Sequence, residues 1–422
     1  MKTSRRMFLR EMAKSVGGIP SLAPMSFGPT VVEATDDVSG PLQDASNRTL
    51  VVIQLMGGND GLDTIVPYGQ QQYYTLRPTL GLQTAEILPI DGDVAFNANM
   101  SALMSIYKSN QAAIIQGVSY PSPNLSHYEA TAIWESGSPD NPLSNGWLGR
   151  YLDVARQADS TVTAVNLNDL LPQTLQGVSS SPLSVGNLGA FKLSPLGKIS
   201  ATSQQDDIQT LNQVGLNQTG CIACQEYNTL VGSMMQSGLD ALSASSIIQQ
   251  AASAYTPSVT YPSNDFANRL KLAAAIVTSS MKPRVVYVTL GGFDTHAAQK
   301  ATQNALLKTL SDGLSAFFND LSAQGRANDT AIMTFSEFGR RAKENGSNGT
   351  DHGTSLPQFL IGGQVSGGLY GTYPSLTNLD PTGNLQFEID YRQVYASVLE
   401  DWLGVNSTNV LGSAWSKVSA FK

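Results

Sequence analysis

Six short, almost unbroken apolar runs recur along this chain, at residues 50–56, 112–116, 162–165, 285–290, 331–335 and 359–361. A strand with one wet face alternates apolar and polar residues. A near-continuous run of this length instead reads as a strand covered on both faces. Between the runs lie stretches with helical periodicity, such as Met100 to Lys108, Trp147 to Ala158 and Leu306 to Leu321. Alternation of strands and helices requires crossover connections, and these place helices on both faces of a parallel sheet. The expected class is α/β, with a mostly parallel central sheet and helices on both faces, over residues 49–415. At 422 residues and 41% hydrophobic content the chain can fill such a core. Residues 201–280 break the rhythm. They read as amphipathic helices rich in Ala, Ser and Gln, with Leu239, Leu242, Ile247 and Ile248 spaced to share a face. A helical insertion beside the sheet is expected there.

Only 14% of the residues are charged, and Ser, Thr, Asn and Gln supply the remaining polarity. That balance suits an exported protein. A net charge of -8 argues against a nucleic-acid partner, which would need a basic face. An anionic substrate stays open, because a bound metal ion inverts the local field. The N-terminus strengthens the export reading. Ser4-Arg5-Arg6-Met7-Phe8-Leu9-Arg10 is close to a twin-arginine signal, and a weakly apolar stretch follows at 16–32. Val32-Glu33-Ala34 then offers small residues to a signal peptidase. Residues 1–34 are expected to be a leader handled by the twin-arginine machinery, and 35–48 a linker. The mature protein would be periplasmic or secreted. Gly, Pro and Ser interrupt the apolar stretch, so no permanent membrane anchor is expected. Two cysteines, Cys221 and Cys224, stand in Cys-Ile-Ala-Cys. An oxidising compartment favours a local disulfide between them over a redox motif, which would want a strand before and a helix after.

The chain has only three histidines, His127, His296 and His352, and each lies beside a carboxylate or a serine. Histidine is the commonest metal ligand and titrates nearest neutrality. Gly57-Gly58-Asn59-Asp60-Gly61 ends the first run, where a carboxylate either binds a cation or closes an Asn-Asp-Gly turn. Gly291-Gly292-Phe293-Asp294-Thr295-His296 ends another. Residues two apart point the same way in extended chain, so Asp294 and His296 can face one ion, and Asp294 can at the same time cap a helix starting near Ala297. Ser336-Glu337-Phe338-Gly339-Arg340 offers Glu337 as ligand or base and Arg340 as a grip on an oxyanion, or else Ser336 as a helix cap. The glycine-dense loop holding Thr350-Asp351-His352-Gly353 presents an Asp-His pair that suits a metal. Ser126-His127-Tyr128-Glu129 reads either as a capping box or as a serine nucleophile at a helix N-terminus.

Taken together, these motifs resemble a bacterial family known as domain of unknown function 1501. Gly146-Trp147-Leu148-Gly149-Arg150 and the ending from Asp390-Tyr391-Arg392 through Asp401-Trp402-Leu403-Gly404 belong to the same pattern. That family is similar to the alkaline phosphatase and sulfatase superfamily. The resemblance implies an alkaline phosphatase-like fold with a metal-dependent ester hydrolase site. It implies one metal held by Asp60, Asp351 and His352, and a second held by Asp294 and His296. It also implies Ser126 as nucleophile. The chain departs from the superfamily pattern in having no histidine after His352. The leading expectation is an exported hydrolase of phosphate or sulfate esters, acting on a small-molecule or glycan ester. Its cofactor would be a divalent metal ion (Zn, Ca, Mg or Mn). Ser126 or a water would attack, His127 or Glu337 would move protons, and Arg340 would steady developing charge. The alternative is a non-catalytic exported scaffold or glycan-binding protein that keeps the fold.

Overall fold

The computed structural model describes residues 45, 47–140, 142, 145–159, 163–180, 182–186 and 245–422. Twelve strands appear among them: β1 (Thr49–Met56), β2 (Ile65–Val66), β3 (Ile87–Pro89), β4 (Ala95–Asn97), β5 (Ala112–Ser119), β6 (Ala164–Asn166), β7 (Leu183–Ser184), β8 (Val285–Gly291), β9 (Thr330–Phe335), β10 (Leu356–Gly362), β11 (Gly368–Tyr370) and β12 (Ile389–Asp390). The principal helices are α1 (Ser101–Lys108), α2 (His127–Ser136), α3 (Trp147–Ala158), α4 (Asp265–Val277), α5 (Gln299–Ala323) and α6 (Tyr391–Ser397).

The main sheet has nine strands in the order β11-β5-β10-β9-β1-β8-β6-β7, with β12 also paired to β5. Its centre is β1, which pairs in parallel with β8 on one side and β9 on the other. Every residue of β1 before Met56 is buried, as its unbroken apolar run requires. The two faces divide by the two-residue period of a strand. Val51, Ile53 and Leu55 join a core with residues of α1, α4 and α5. Leu50 and Val52 join a second core with residues of α2, α3 and α6. The protein is therefore a mixed α/β fold with a mostly parallel sheet between two helical layers. A small antiparallel sheet, β2-β4-β3, lies off the main one.

One strand runs against the rest. β10 is antiparallel to both β9 and β5. The cause is local: the connection from β9 to β10, residues 336–355, contains no helix to carry the chain back across the sheet. The whole connection stays at the edge where β9 ends. Because β10 opposes both neighbours, β5 runs the same way as β9. The carboxyl ends of β1, β5, β8 and β9 thus open onto one edge.

Of the segment expected as a helical insertion, 201–244 lies outside the described residues, as do the leader-like N-terminus, Cys221 and Cys224. Residues 245–254 are helical. α4 packs on α5, where Gly313 leaves room for Phe266 and Leu270. Buried Asp320 of α5 fixes the stretch before α4 by accepting bonds from Tyr255 Oη (2.6 Å), Ser258 N (2.7 Å) and Tyr261 Oη (2.9 Å). No helix among the described residues is long and apolar enough to cross a membrane.

A candidate metal centre at the carboxyl edge of the sheet

Four connections meet at the edge where the parallel strands end, the usual place for ligands in such sheets. They are the turn after β1, the loop after β8, the long loop after β9, and the segment 120–126 that leads from β5 into α2. Gly57 lets the first two touch. Its φ of +115° lies in the region that favours glycine, and a Cβ there would stand 2.5 Å from the Asp294 nitrogen. Gly349 does the same for the third, because a Cβ there would stand 2.2 Å from the carbonyl carbon of His296.

All three histidines of the chain meet at this point. Asp294 Oδ1 lies 3.0 Å from His296 Nε2, 3.2 Å from His352 Nε2 and 3.5 Å from His127 Nε2. Two of those nitrogens, in His296 and His352, are 3.0 Å apart. The Nδ1 atoms face the other way. His127 Nδ1 lies 2.8 Å from Glu337 Oε1, and His352 Nδ1 lies 2.8 Å from the carbonyl oxygen of Leu125. His296 Nδ1 lies 3.7 Å from Asp351 Oδ1. For His127 and His352, the acceptor bonded at Nδ1 keeps the proton there and leaves the Nε2 lone pair free. That is the arrangement of a metal-ligating imidazole with its outer partner.

The electrostatics agree. Burial works to raise the Asp294 carboxyl, but the bond and charge of Arg340 and the contact with His352 outweigh it and hold its pKa at about 2. Burial lowers the His352 pKa from its ordinary value, so this ring is neutral and able to ligate at neutral pH. With the proton of each ring on Nδ1, the two Nε2 lone pairs would face each other and repel unless a cation lay between them. Nitrogens each about 2.0–2.1 Å from one ion stand roughly 3 Å apart. His127, Asp294 and His352 each offer a ligand atom, all within 4.8 Å of one another. His296 adds a fourth. The donor set fits one divalent ion. Asp294 and His296 are about half exposed, so the group faces solvent rather than lying in a closed structural site.

The structure does not bring every expected residue to this point. Asp60 is fully buried and paired with Arg77, whose Nη1 lies 2.7 Å from Asp60 Oδ2. Leu62 N also donates to Asp60 Oδ1, so this carboxylate caps the short helix Gly61–Thr64 and does not join the histidines. Asp351 and His352 diverge, as neighbours in extended chain do. His352 faces Asp294, whereas Asp351 faces the back of His296 and accepts from Asn345 Nδ2. The expectation that Asp60, Asp351 and His352 share an ion is thus corrected.

Arg340 cannot grip an oxyanion, because its guanidinium is buried and fully engaged. It donates to the carbonyls of Gly57, Gly58, Phe293 and Thr350 and to Asp294 Oδ1. It ties three of the loops together. Glu337 is buried and bonds to Gly57 N and His127, so it orients a histidine rather than lining the open side. No helix follows Ser336. Instead Ser336 Oγ donates to the carbonyl of Leu55, and Asn59 N donates to Ser336 Oγ. Likewise α5 begins without a cap from Asp294.

The capping box at 126–129 also fails to form. Ser126 is the N-cap residue of α2, but its side chain makes no cap bond. Asn124 takes over locally: its Oδ1 accepts from Ser126 N, and its amide donates to Glu129. The Ser126 hydroxyl is left exposed, between Leu125 and His127, both of which belong to the site. His127, expected from the sequence as a mover of protons, stands with the other two histidines. The scarcity of histidine was the sequence signal that grouped the three.

Among curated proteins, none matches the sequence. Solved structures similar to it include a protein in the alkaline phosphatase superfamily from Vibrio parahaemolyticus, at 9% identity and TM-score 0.36, covering 87% of this chain and 70% of that one. Another is the alkaline phosphatase from the Antarctic bacterium TAB5, at 11% identity and TM-score 0.32, covering 75% and 92%. A third is the PsFucS1 sulfatase from Pseudoalteromonas sp., at 12% identity and TM-score 0.36, covering 89% and 73%. At such scores the likeness says nothing about chemistry. The family described as "Protein of unknown function (DUF1501)" matches residues 47–412, and the chain belongs to it.

Proposed function

We propose that this member of the family is an exported, metal-dependent hydrolase of phosphate or sulfate esters. One observation carries the reading: three imidazole Nε2 atoms converge on Asp294 Oδ1 while acceptors bond the Nδ1 atoms of His127 and His352. Asp294, His296 and His352, the tightest group, would hold the ion. A set rich in imidazole suits zinc better than calcium, magnesium or manganese, which prefer oxygen. Bound there, the ion supplies a Lewis acid for the ester oxygen.

The remaining groups supply the proton chemistry. Ser126 has an exposed hydroxyl at the start of α2, where the orphan backbone N–H groups favour developing negative charge. It is the proposed nucleophile, with a water as the alternative. His127, the member farthest from Asp294, takes the proton of the attacking group. Glu337, bonded to its Nδ1, stabilises the charged imidazole that results. A bond forms from the attacking oxygen to phosphorus or sulfur, and the bond to the alcohol oxygen breaks. The proton held on His127 returns to that alcohol. Where Ser126 attacked, water then attacks the phosphorus or sulfur, His127 takes its proton and returns it to Ser126 Oγ as that bond breaks, and phosphate or sulfate leaves.

The substrate is a small-molecule or glycan ester met outside the cytoplasm. The test is hydrolysis of a panel of phosphate and sulfate esters by the purified protein, with and without chelator. Turnover that chelator abolishes and zinc restores is expected. A metal-loaded protein inert on every ester would favour the non-catalytic scaffold or glycan-binding alternative. Export is tested by replacing both Arg5 and Arg6 with Lys, which should leave the protein in the cytoplasm.

A further inference from the structure

Asp60 is buried away from the histidines, yet its partners reach both histidine-bearing loops. Arg77 Nη1 and Nη2 both bind its carboxylate, and Arg77 also donates to the carbonyls of Arg341 (3.0 Å) and Ala342 (3.0 Å). Those carbonyls lie directly after Arg340 in the long loop. On the other side, Gln299 Nε2 donates to Asp60 Oδ2 and to Asp63 Oδ2. Gln299 follows His296 by three residues and opens α5. Its Oε1 accepts from Thr350 Oγ1 at 2.6 Å, and Thr350 precedes His352 by two. Thr350 N in turn donates to the carbonyl of Thr295, next to His296. Asp60, Arg77, Gln299 and Thr350 are all buried. Every link therefore works without competition from water, and an unmade bond is costly.

We infer that Asp60, Arg77, Gln299 and Thr350 form a positioning network that sets the distance between His296 and His352. The network clamps the long loop at two places, at 341–342 through Arg77 and at 350 through Gln299. It also joins that loop to the one carrying His296. Asp60 thus acts on the site through Gln299 and Thr350, not as a ligand. The inference rests on the metal reading only for its consequence, since the spacing of the two rings is a property of the protein itself.

The test uses the fact that all three histidines of the chain lie in this site. The full chain labelled with 15N-histidine gives three imidazole spin systems that report tautomer and environment directly. Asp60→Asn would break a fully buried ion pair, so the decisive variants are Thr350→Val, which keeps the shape and removes the hydroxyl, and Thr350→Ser, which keeps the hydroxyl. In the metal-free protein, Thr350→Val should shift the His296 and His352 resonances while Thr350→Ser leaves them as in the wild type. Thr350→Val should then bind zinc about 10-fold more weakly, the usual loss for an outer partner, and Thr350→Ser should restore binding. Wild-type resonances in Thr350→Val, with only a lower Tm, would overturn the network. Shifted resonances in a protein whose spectrum does not change on adding zinc would uphold the network and sink the metal reading instead.

Discussion

His296 Nε2 and His352 Nε2 stand 3.0 Å apart, and both point at the same carboxylate oxygen of Asp294. The rings come from loops after two different strands, 56 residues apart in the chain. Nothing in either loop alone requires that meeting. It follows from the parallel pairing of β1 with β8 and β9, which sends both loops to one edge, and from glycines that let the loops touch.

The site divides into a part that holds the ion and a part that moves a proton, and two substitutions separate them. His296→Ala should remove bound metal and activity together. Glu337→Gln should keep metal content within about two-fold while kcat falls roughly 10- to 100-fold, because the charge behind His127 is lost. Metal analysis beside steady-state kinetics decides the matter. Equal loss of metal in both variants would end the division.

Gly57→Ala should damage the site without touching a ligand. The position has a φ of +115°, and the new Cβ would stand 2.5 Å from the Asp294 nitrogen. Backbone strain of this kind costs about 1–3 kcal/mol. Thermal unfolding should show a lower Tm, and metal affinity should fall as Asp294 is pushed aside. Wild-type affinity in the variant would mean the loops have slack.

Glu135, on the buried side of α2, gives the fold a pH dependence of its own. Burial is the chief cause of its raised pKa, bonds from Thr174, Gln173 and Tyr287 oppose it, and the result is about 7 rather than 4.5. The folded state therefore binds this proton more tightly than the unfolded chain. Its contribution is full below about pH 4.5 and is lost as pH rises through about 7, for a total near 3 kcal/mol. Glu135→Gln should flatten that part of the profile and make the protein relatively more stable at pH 8. Denaturant unfolding at pH 5 and pH 8 measures it, and an unchanged difference between the two would refute the assignment.

Much of the sheet was legible because burial on both faces leaves a plain mark. The run at 50–56 is β1 almost residue for residue, and the helix read at Trp147 to Ala158 is α3. The direction of β10 was not legible in its own residues. It depends on the absence of a crossover helix in 336–355, a stretch whose glycines and polar residues carry that information only indirectly. At the site, the scarcity of histidine pointed to a single cluster, and Asp294 with His296 was readable from their two-residue spacing. The roles of Asp60, Asp351 and Arg340 were not, because each depends on a partner brought by the fold. Arg77 lies 17 residues beyond Asp60 and looks ordinary in the sequence. The capping box failed for a similar reason, since Asn124 lies just outside the motif and engages both the Ser126 nitrogen and the Glu129 carboxylate that would have bonded each other.

X-ray absorption and anomalous diffraction on the zinc-loaded protein test the central claim most directly. The account predicts one ion per chain, bonded at about 2.0–2.2 Å to His296 Nε2, His352 Nε2 and an oxygen of Asp294, with His127 beside it. An ion bound instead by Asp60 and Asp351, or a protein that takes up no ion at these imidazoles, would contradict it.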